Sequence, residues 1–145
     1  MTIYFYQEKI KTFSNFSLHS FWLDDHEWKT SEHYFQAQKF VNTEHFNTIK
    51  SAKTPLSARI LGRSRKFPIR EDWEKVKDDV MRKALYAKFS QNKDIKNILV
   101  STDNTKLIEN SPNDYYWGCG FDNSGLNRLG VLLMELRTLF QLEDF

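Results

Sequence analysis

Apolar residues recur with helical spacing over most of the chain, and the longest such stretch begins at Asp72. Its apolar stripe predicts a long core helix. The stripe consists of Trp73, Val76, Val80, Ala84 and Ala87. A leucine-rich stripe near the C-terminus predicts a closing helix from about Asn127. Shorter helices are predicted after Thr43, from Thr54-Pro55 to Gly62, and after Asn92.

Short runs of β-branched and aromatic residues predict strands at 2–6, at 21–23 and, less regularly, at 106–109. Asp24-Asp25-His26 is turn-like, so the chain can return as a third strand through Glu27-Trp28. The sequence contains no internal repeat, low-complexity tract or linker. We therefore expect an α+β, predominantly helical fold, with one compact domain over 1–145 and a small antiparallel sheet near the N-terminus.

The stretch from Trp28 to Phe40 predicts a helix with two different faces, capped by the hydroxyl of Thr30. His33 falls on the apolar arc, which favours a hydrogen-bonded core histidine. The opposite arc carries Glu32, Gln36 and Lys39 at spacings of four and three residues.

This polar row has two interpretations. It can be a solvated helix face, whose side-chain pairs contribute only about 0.2–0.5 kcal/mol each. It is also short, chemically mixed and edged by large aromatic residues, which favours the wall of a pocket. Glu32 lies in the first helical turn, where the helix dipole favours a carboxylate.

A second stretch, from Glu109 to Gly130, interleaves polar, aromatic and glycine residues. It holds four of the five glycines of the chain, and glycine lets a ligand approach the backbone closely. Together with Asp114, Trp117 and Asn127, this composition predicts a loop that forms a second binding wall. Asn127 has an equally good structural role as the cap of the final helix.

Composition narrows the possible functions. A chain of 145 residues can bury a real core, and its 15% aromatic content provides rings that can stack on a planar ligand. A net charge of +2 does not indicate a dedicated nucleic-acid or membrane binder. The single cysteine, Cys119, excludes an intramolecular disulfide and a cysteine-based metal site. Without a long apolar run or a signal-peptide core, we expect a cytoplasmic protein.

The stretch from Arg63 to Arg70 is basic and cannot be a regular helix through Pro68. It is either a solvated surface or an anion site in which guanidinium groups bind a phosphate. Acidic residues return directly afterwards at Glu71 and Asp72, which disfavours a groove for double-stranded nucleic acid.

A series of specific motifs runs along the chain. These are Phe13-Ser14-Asn15-Phe16, Trp28 to Phe40, Arg70 with Asp72-Trp73, Val80 to Gln91, Asp114 with Trp117-Gly118, and Gly125 to Gly130. In this order they resemble the YbiA-like family, also called the NAD and ADP-ribose associated superfamily, from about Tyr4 to Arg137.

The resemblance implies a mainly helical α+β domain with N-glycosidase activity. Members like it hydrolyse the bond between ribose 5-phosphate and the amino-pyrimidinone of early riboflavin intermediates, and related members remove ADP-ribose from modified guanine. It also implies an active site that contains Glu32, Lys39, Asp114 and Trp117.

Cleavage of a C–N bond at an anomeric carbon builds positive charge on the sugar, which a carboxylate can stabilise while it activates water. Glu32 is the first candidate for this role and Asp114 the second. Lys39 can protonate the leaving group or capture the sugar as a Schiff base, and the sequence leaves both routes open. No metal or cofactor is expected.

The candidate substrate-binding residues divide by their chemistry. Rings can stack on the heterocycle, Arg70 can hold the phosphate, and polar or glycine positions can orient the ligand. The full set is Asn15, Phe16, Trp28, Gln36, Arg70, Trp117, Gly118 and Asn127.

The expected partner is a small ribose-phosphate conjugate, and no membrane partner is expected. One alternative is an ADP-ribosyl-guanine hydrolase that acts on ADP-ribosylated nucleic acid. The other is a module that binds a nucleotide or ADP-ribose without cleaving it. The oligomeric state is left open.

Overall fold

The computed structural model describes residues 1–6 and 11–143. The strands are β1 (Thr2–Phe5), β2 (Phe21–Leu23), β3 (His26–Trp28) and β4 (Lys106–Glu109). The α-helices are α1 (Ser31–Ala37), α2 (His45–Lys50), α3 (Pro55–Gly62), α4 (Trp73–Gln91), α5 (Lys93–Ser101) and α6 (Arg128–Glu143). Short 3₁₀ helices cover Lys11–Phe13 and Gln38–Phe40. The predominantly helical α+β class is confirmed.

Backbone contacts group these elements into two compact units. The central unit is Asn15–Gln91, and the terminal unit combines Met1–Ser14 with Asn92–Phe145. The assignment of the whole chain to one domain stays a prediction. No helix within the described residues combines the length and apolarity that crossing a membrane requires.

In the central unit, β2 and β3 form the antiparallel hairpin that the sequence predicts. Asp24 and Asp25 make its two-residue turn with φ angles of 53° and 65°. Positive φ at both positions matches the right-handed twist of the strands, and aspartate tolerates it better than most residues. The turn aligns Phe21 with Trp28, so both side chains enter the core.

Helix α1 is the centre of this unit, where it packs against α2, α3 and α4. Thr30 caps it as predicted, because its hydroxyl accepts a hydrogen bond from the His33 amide at 3.2 Å. The His33 ring is fully buried and bonds to Thr30 Oγ1 at 2.7 Å and to the Ala52 carbonyl at 2.9 Å. His33 is therefore the hydrogen-bonded core histidine that the pattern indicates.

In the terminal unit, β1 pairs with β4 in parallel, from Thr2 opposite Lys106 to Phe5 opposite Glu109. The sequence predicts both strands but not this pairing. Helix α6 packs against β4 and α5. It begins at Arg128 because Asn127 has a φ of 52°, outside the helical region.

Candidate active site

Glu32, Gln36 and Lys39 form one row along α1 and the 3₁₀ turn that continues it, and we call them the α1 row. All three side chains are buried, with exposed fractions of 3%, 5% and 9%. The interpretation of the row as a solvated helix face is therefore wrong. Burial of a carboxylate and an amine requires compensating partners, which the neighbouring elements supply.

The carboxylate of Glu32 has two side-chain partners. Gln36 Nε2 donates to Glu32 Oε2 at 2.7 Å from one turn along the same helix. Arg59, on α3, donates from Nε to Oε2 at 3.3 Å and from Nη2 to Oε1 at 3.5 Å. The Arg59 guanidinium carbon lies 4.2 Å from the centre of the Phe16 ring, a cation–π contact that fixes the guanidinium.

Asn15 positions the start of the α1 row. Its side-chain oxygen accepts from Ser31 Oγ at 2.7 Å, and its backbone carbonyl accepts from the Glu32 amide at 3.2 Å. These bonds tie the first turn of α1 to the preceding loop, where Phe16 is also located. In the structure Asn15 thus holds the first turn of α1 at Glu32. The contact with substrate that the sequence predicts for Asn15 stays a prediction.

Gln36 lies where α1 and α3 come closest. A Cβ atom added at Gly62 would be 2.0 Å from Gln36 Oε1, so only glycine fits at this crossing. Gln36 Oε1 is itself buried and accepts no hydrogen bond from the described residues. A buried acceptor without a partner is rare in folded proteins and marks a place where a donor can be added.

Lys39 ends the row in a mostly apolar setting. Its Nζ lies 5.8 Å from the Phe35 ring centre and 5.9 Å from the Trp73 ring centre, and it donates to the Gly62 carbonyl at 3.5 Å. Burial lowers the pKa of Lys39 to about 8. The charge of Glu32 opposes this shift, whereas nearby arginine charges add to it. Both the protonated and the neutral amine are therefore accessible near neutral pH.

Arg70 is engaged by a neighbouring carboxylate. Its Nε and Nη2 donate to Asp72 at 2.6 and 3.0 Å, while its backbone amide donates to the Lys39 carbonyl at 2.9 Å. Lys39 and Arg70 also line a cavity of about 250 Å³. Arg70 thus borders the row through its backbone, and its role as the phosphate anchor stays a prediction.

Trp28 belongs to the core of the central unit. Its side chain has no exposed surface, its Nε1 donates to the Leu23 carbonyl at 2.9 Å, and Tyr34 and Phe46 pack edge-on against it. A ring enclosed in this way has no free face for a ligand. The predicted stacking of a substrate base on Trp28 is not supported.

The loop from Asp114 to Asn127, which we call the 114–127 loop, belongs to the terminal unit. Asp114 Oδ1 accepts from the backbone amides of Tyr116 and Trp117 at 3.0 and 2.8 Å. The Gly118 carbonyl accepts from the Asn127 amide at 3.0 Å, and Trp117 is half-buried. The predicted roles of Asp114, Trp117 and Gly118 in catalysis and binding stay predictions.

Asn127 acts on β4 and not on the helix that follows it. Its Oδ1 accepts from the Glu109 amide and its Nδ2 donates to the Leu107 carbonyl, both at 2.9 Å. The Asn127 side chain therefore takes the place of a neighbouring strand beside β4. The alternative role from the sequence, as the side-chain cap of α6, is not what these bonds show. The contact of Asn127 with substrate stays a prediction.

Arg59 is a residue of this site that the sequence does not single out, because the adjacent run from Arg63 to Arg70 is more strongly basic. The sequence around Arg59 does indicate a helix contact. Ala58 and Gly62 are small residues four positions apart, which indicates one face of α3 that packs closely on another helix. Both are buried, and Arg59 borders that face.

Within residues 1–6 and 11–143, no group of three or more His, Cys, Asp or Glu side chains is placed to hold a metal ion. The groups assembled along the α1 row are a carboxylate, an amide, an amine and a guanidinium. This set can transfer protons, stabilise a cation and form an imine.

Comparisons with known proteins agree along nearly the whole chain. The NADAR domain profile matches residues 4–141. N-glycosidase YbiA of Escherichia coli (strain K12) is 47% identical over 131 residues, which are 90% of this chain and 82% of that protein. N-glycosidase Npun_R5314 of Nostoc punctiforme is 45% identical over 142 residues, which are 94% of this chain and 91% of that protein.

Two further matches extend the comparison. The riboflavin biosynthesis protein PYRR, chloroplastic, of Zea mays is 45% identical over 141 residues, which are 87% of this chain but 23% of the maize protein. The NMR structure of E. coli YbiA superposes with a TM-score of 0.90 at 45% identity, and the match covers 99% of this chain and 86% of that one.

Proposed function

The chain belongs to the NADAR domain family, and we propose that it is an N-glycosidase of early riboflavin intermediates. The bond cleaved joins ribose 5-phosphate to an amino-pyrimidinone. The names of the relatives support the activity and the pathway. The observation that carries the assignment to a site is the buried Glu32 carboxylate, held by Gln36 and Arg59 on the same row as Lys39.

Glu32 supplies the electrostatic part of the reaction. As the C–N bond lengthens, positive charge develops on the anomeric carbon and the ring oxygen of the sugar. A buried carboxylate stabilises that charge more strongly than an exposed one, because less water screens it. The same carboxylate can accept a proton from the water that attacks the sugar.

Lys39 supplies proton or imine chemistry. In its protonated form it donates a hydrogen bond or proton to the departing amine. In its neutral form it attacks C1 of the ring-opened sugar, where the substrate nitrogen is held as an imine. The C1–N bond to the amino-pyrimidinone then breaks, the substrate amine leaves with a proton, and a Lys39 imine remains. Water hydrolyses that imine to release the sugar and regenerate the lysine amine. A pKa of about 8 supports both routes, because both forms are populated near neutral pH.

The remaining candidates serve recognition in this proposal. In the central unit, Phe16 offers a ring face to the planar base and Asn15 offers an amide. In the terminal unit, Asp114, Trp117, Gly118 and Asn127 remain candidates on the sequence alone.

The decisive experiment is an assay for released sugar. Purified protein is incubated with the ribosylamine 5-phosphates of the riboflavin pathway, and in a parallel arm with ADP-ribosylated guanine in DNA. We expect release of ribose 5-phosphate in the first arm. Release of ADP-ribose alone would replace the proposed substrate with the nucleic-acid adduct, and tight binding without release in either arm would favour a binding module.

A further inference from the structure

We propose that Arg59 binds the phosphate group of the substrate while it remains next to the Glu32 carboxylate. This inference rests on the proposed function, because it takes the substrate to be a ribose that carries a phosphate at its 5′-oxygen. It assigns to α3 the anion-binding role that the sequence suggests for Arg70.

The first support is the number of donors that Arg59 has left. A guanidinium carries five N–H groups, and Glu32 engages Arg59 through Nε and Nη2. Among the described residues, the Arg59 side chain donates no hydrogen bond other than those to Glu32. Its side chain is 27% exposed, and Phe16 supports one face of the guanidinium. The outer edge of the guanidinium is therefore held in place with donors directed away from Glu32.

The second support is the length of the bonds that Arg59 makes. Its bonds to Glu32, at 3.3 and 3.5 Å, lie at or beyond the usual limit for N–H···O bonds. Glu32 keeps a shorter bond of 2.7 Å from Gln36. In contrast, Arg70 binds Asp72 at 2.6 and 3.0 Å, a close two-pronged pair. Arg59 can thus share its donors with a phosphate at less cost than Arg70.

The third support is the balance of charge around the row. Arg59, Arg63 and Arg65 are all close enough to lower the pKa of Lys39, a shift for which burial is the largest cause. The charge of Glu32 acts on the pKa of Lys39 in the opposite direction. This excess of positive charge favours an anionic ligand, and a phosphate dianion would offset it.

The size of the substrate fits this arrangement. One furanose ring and one methylene group separate the anomeric carbon from the phosphate ester oxygen. If Glu32 faces the anomeric carbon, the phosphate must lie within a short distance of that carboxylate. Arg59 is the guanidinium that contacts Glu32 directly.

The test compares a phosphorylated substrate with its dephosphorylated form. We expect Arg59→Gln to reduce the ratio of their kcat/KM values by about 10- to 100-fold, the effect of one charge-assisted hydrogen bond. Arg59→Lys should retain part of the preference, because it keeps the charge but not the fork. Arg82→Gln, an arginine paired with Asp79 on α4, is the matched control and should leave the ratio unchanged.

Two results would overturn the inference. If Arg59→Gln lowers kcat/KM equally for both substrates, Arg59 only positions Glu32. If Arg70→Gln removes the preference and Arg59→Gln does not, the anchor is Arg70.

A binding measurement separates this inference from the proposed function. Calorimetric titration of wild type and Arg59→Gln uses ribose 5-phosphate, ribose, inorganic phosphate and ADP-ribose. Weaker binding of ribose 5-phosphate to Arg59→Gln supports the inference even if no substrate is cleaved. Equal binding to both proteins overturns it even if the proposed activity is found. A loss confined to ADP-ribose would identify a diphosphate as the bound group, against the monoester proposed here.

Discussion

The α1 row and the 114–127 loop are both predicted from sequence to be binding walls, but their polar side chains form different kinds of bonds. In the row, Glu32 is bound by the side chains of Gln36 and Arg59, which come from two helices. In the loop, Asp114 and Asn127 bind backbone amides and carbonyls.

A buried or half-buried polar side chain can therefore have one of two roles, to fix the backbone or to bind a ligand. A side chain bonded to backbone fixes the course of the chain, and its loss leaves backbone groups unsatisfied. A side chain bonded to other side chains can exchange partners with a ligand, because those partners can rotate. We therefore expect changes in the row to affect mainly activity, and changes at Asp114 or Asn127 to affect mainly stability.

The largest effect is expected for Glu32→Gln. The amide has the size of the carboxylate and can still accept hydrogen bonds, but it cannot stabilise the sugar cation. We expect kcat to fall by about 10²- to 10⁴-fold with little change in the thermal midpoint. Glu27→Gln, at the exposed position of β3, is the control and should behave like wild type in the same release assay. Full activity of Glu32→Gln would break the comparison.

A smaller effect is expected from pH at Lys39. Because its pKa is about 8, the neutral fraction should rise about tenfold between pH 7 and pH 9 and then level off. The yield of borohydride-trapped adduct at this residue should follow that curve. An ordinary surface lysine would instead rise about 100-fold over the same interval without a plateau.

Peptide mapping is needed to assign the adduct, because burial also lowers the pKa of the fully buried Lys88, to about 7.

The lowered pKa of Lys39 also makes the stability of the fold depend on pH. Between pH 8 and the ordinary lysine value of 10.5, the unfolded chain binds more protons than the folded chain at Lys39. The contribution of Lys39 to stability should therefore rise with pH across that window.

The smallest effect is expected for Asp114→Asn. The asparagine oxygen can accept the same two amides, so activity and thermal midpoint should remain near wild type. Asp114→Ala should lower the free energy of unfolding by about 1–2 kcal/mol, because both bonds are lost. Chemical denaturation measures this change. If Asp114→Asn inactivates a folded protein, Asp114 is the catalytic carboxylate that the sequence alone suggests, and the two regions are not as different as their bonds indicate.

The sequence predicts best the features that short-range chemistry determines. The hydroxyls of Thr30 and Thr54 each accept a hydrogen bond from the amide of the third residue of the helix that follows. The first residues of α1 and α3 are therefore determined by residues close in sequence. The same is true of the Asp24-Asp25 turn, whose positive φ angles depend on two residues. Element type and these boundaries follow from such local preferences.

Features that depend on distant packing could not be predicted. The parallel pairing of β1 with β4 joins segments that are far apart in the sequence, Thr2–Phe5 and Lys106–Glu109, and neither strand carries a signal for its partner. The contact of Arg59 with Glu32 depends on the crossing of α1 and α3. The burial of Trp28, on β3, depends on Tyr34 of α1 and Phe46 of α2. The row itself is predictable from sequence, whereas its partners are not.

The glycine at the crossing of α1 and α3 limits how this sequence can evolve. Any side chain at Gly62 collides with the Gln36 amide, so a larger residue could be accepted at 62 only after position 36 had become smaller. That first step would remove the short hydrogen bond to Glu32 and would be selected against before the second could occur. The two positions should therefore vary as a linked pair, while Leu56 and Ile60, exposed on the same helix, are free to vary independently.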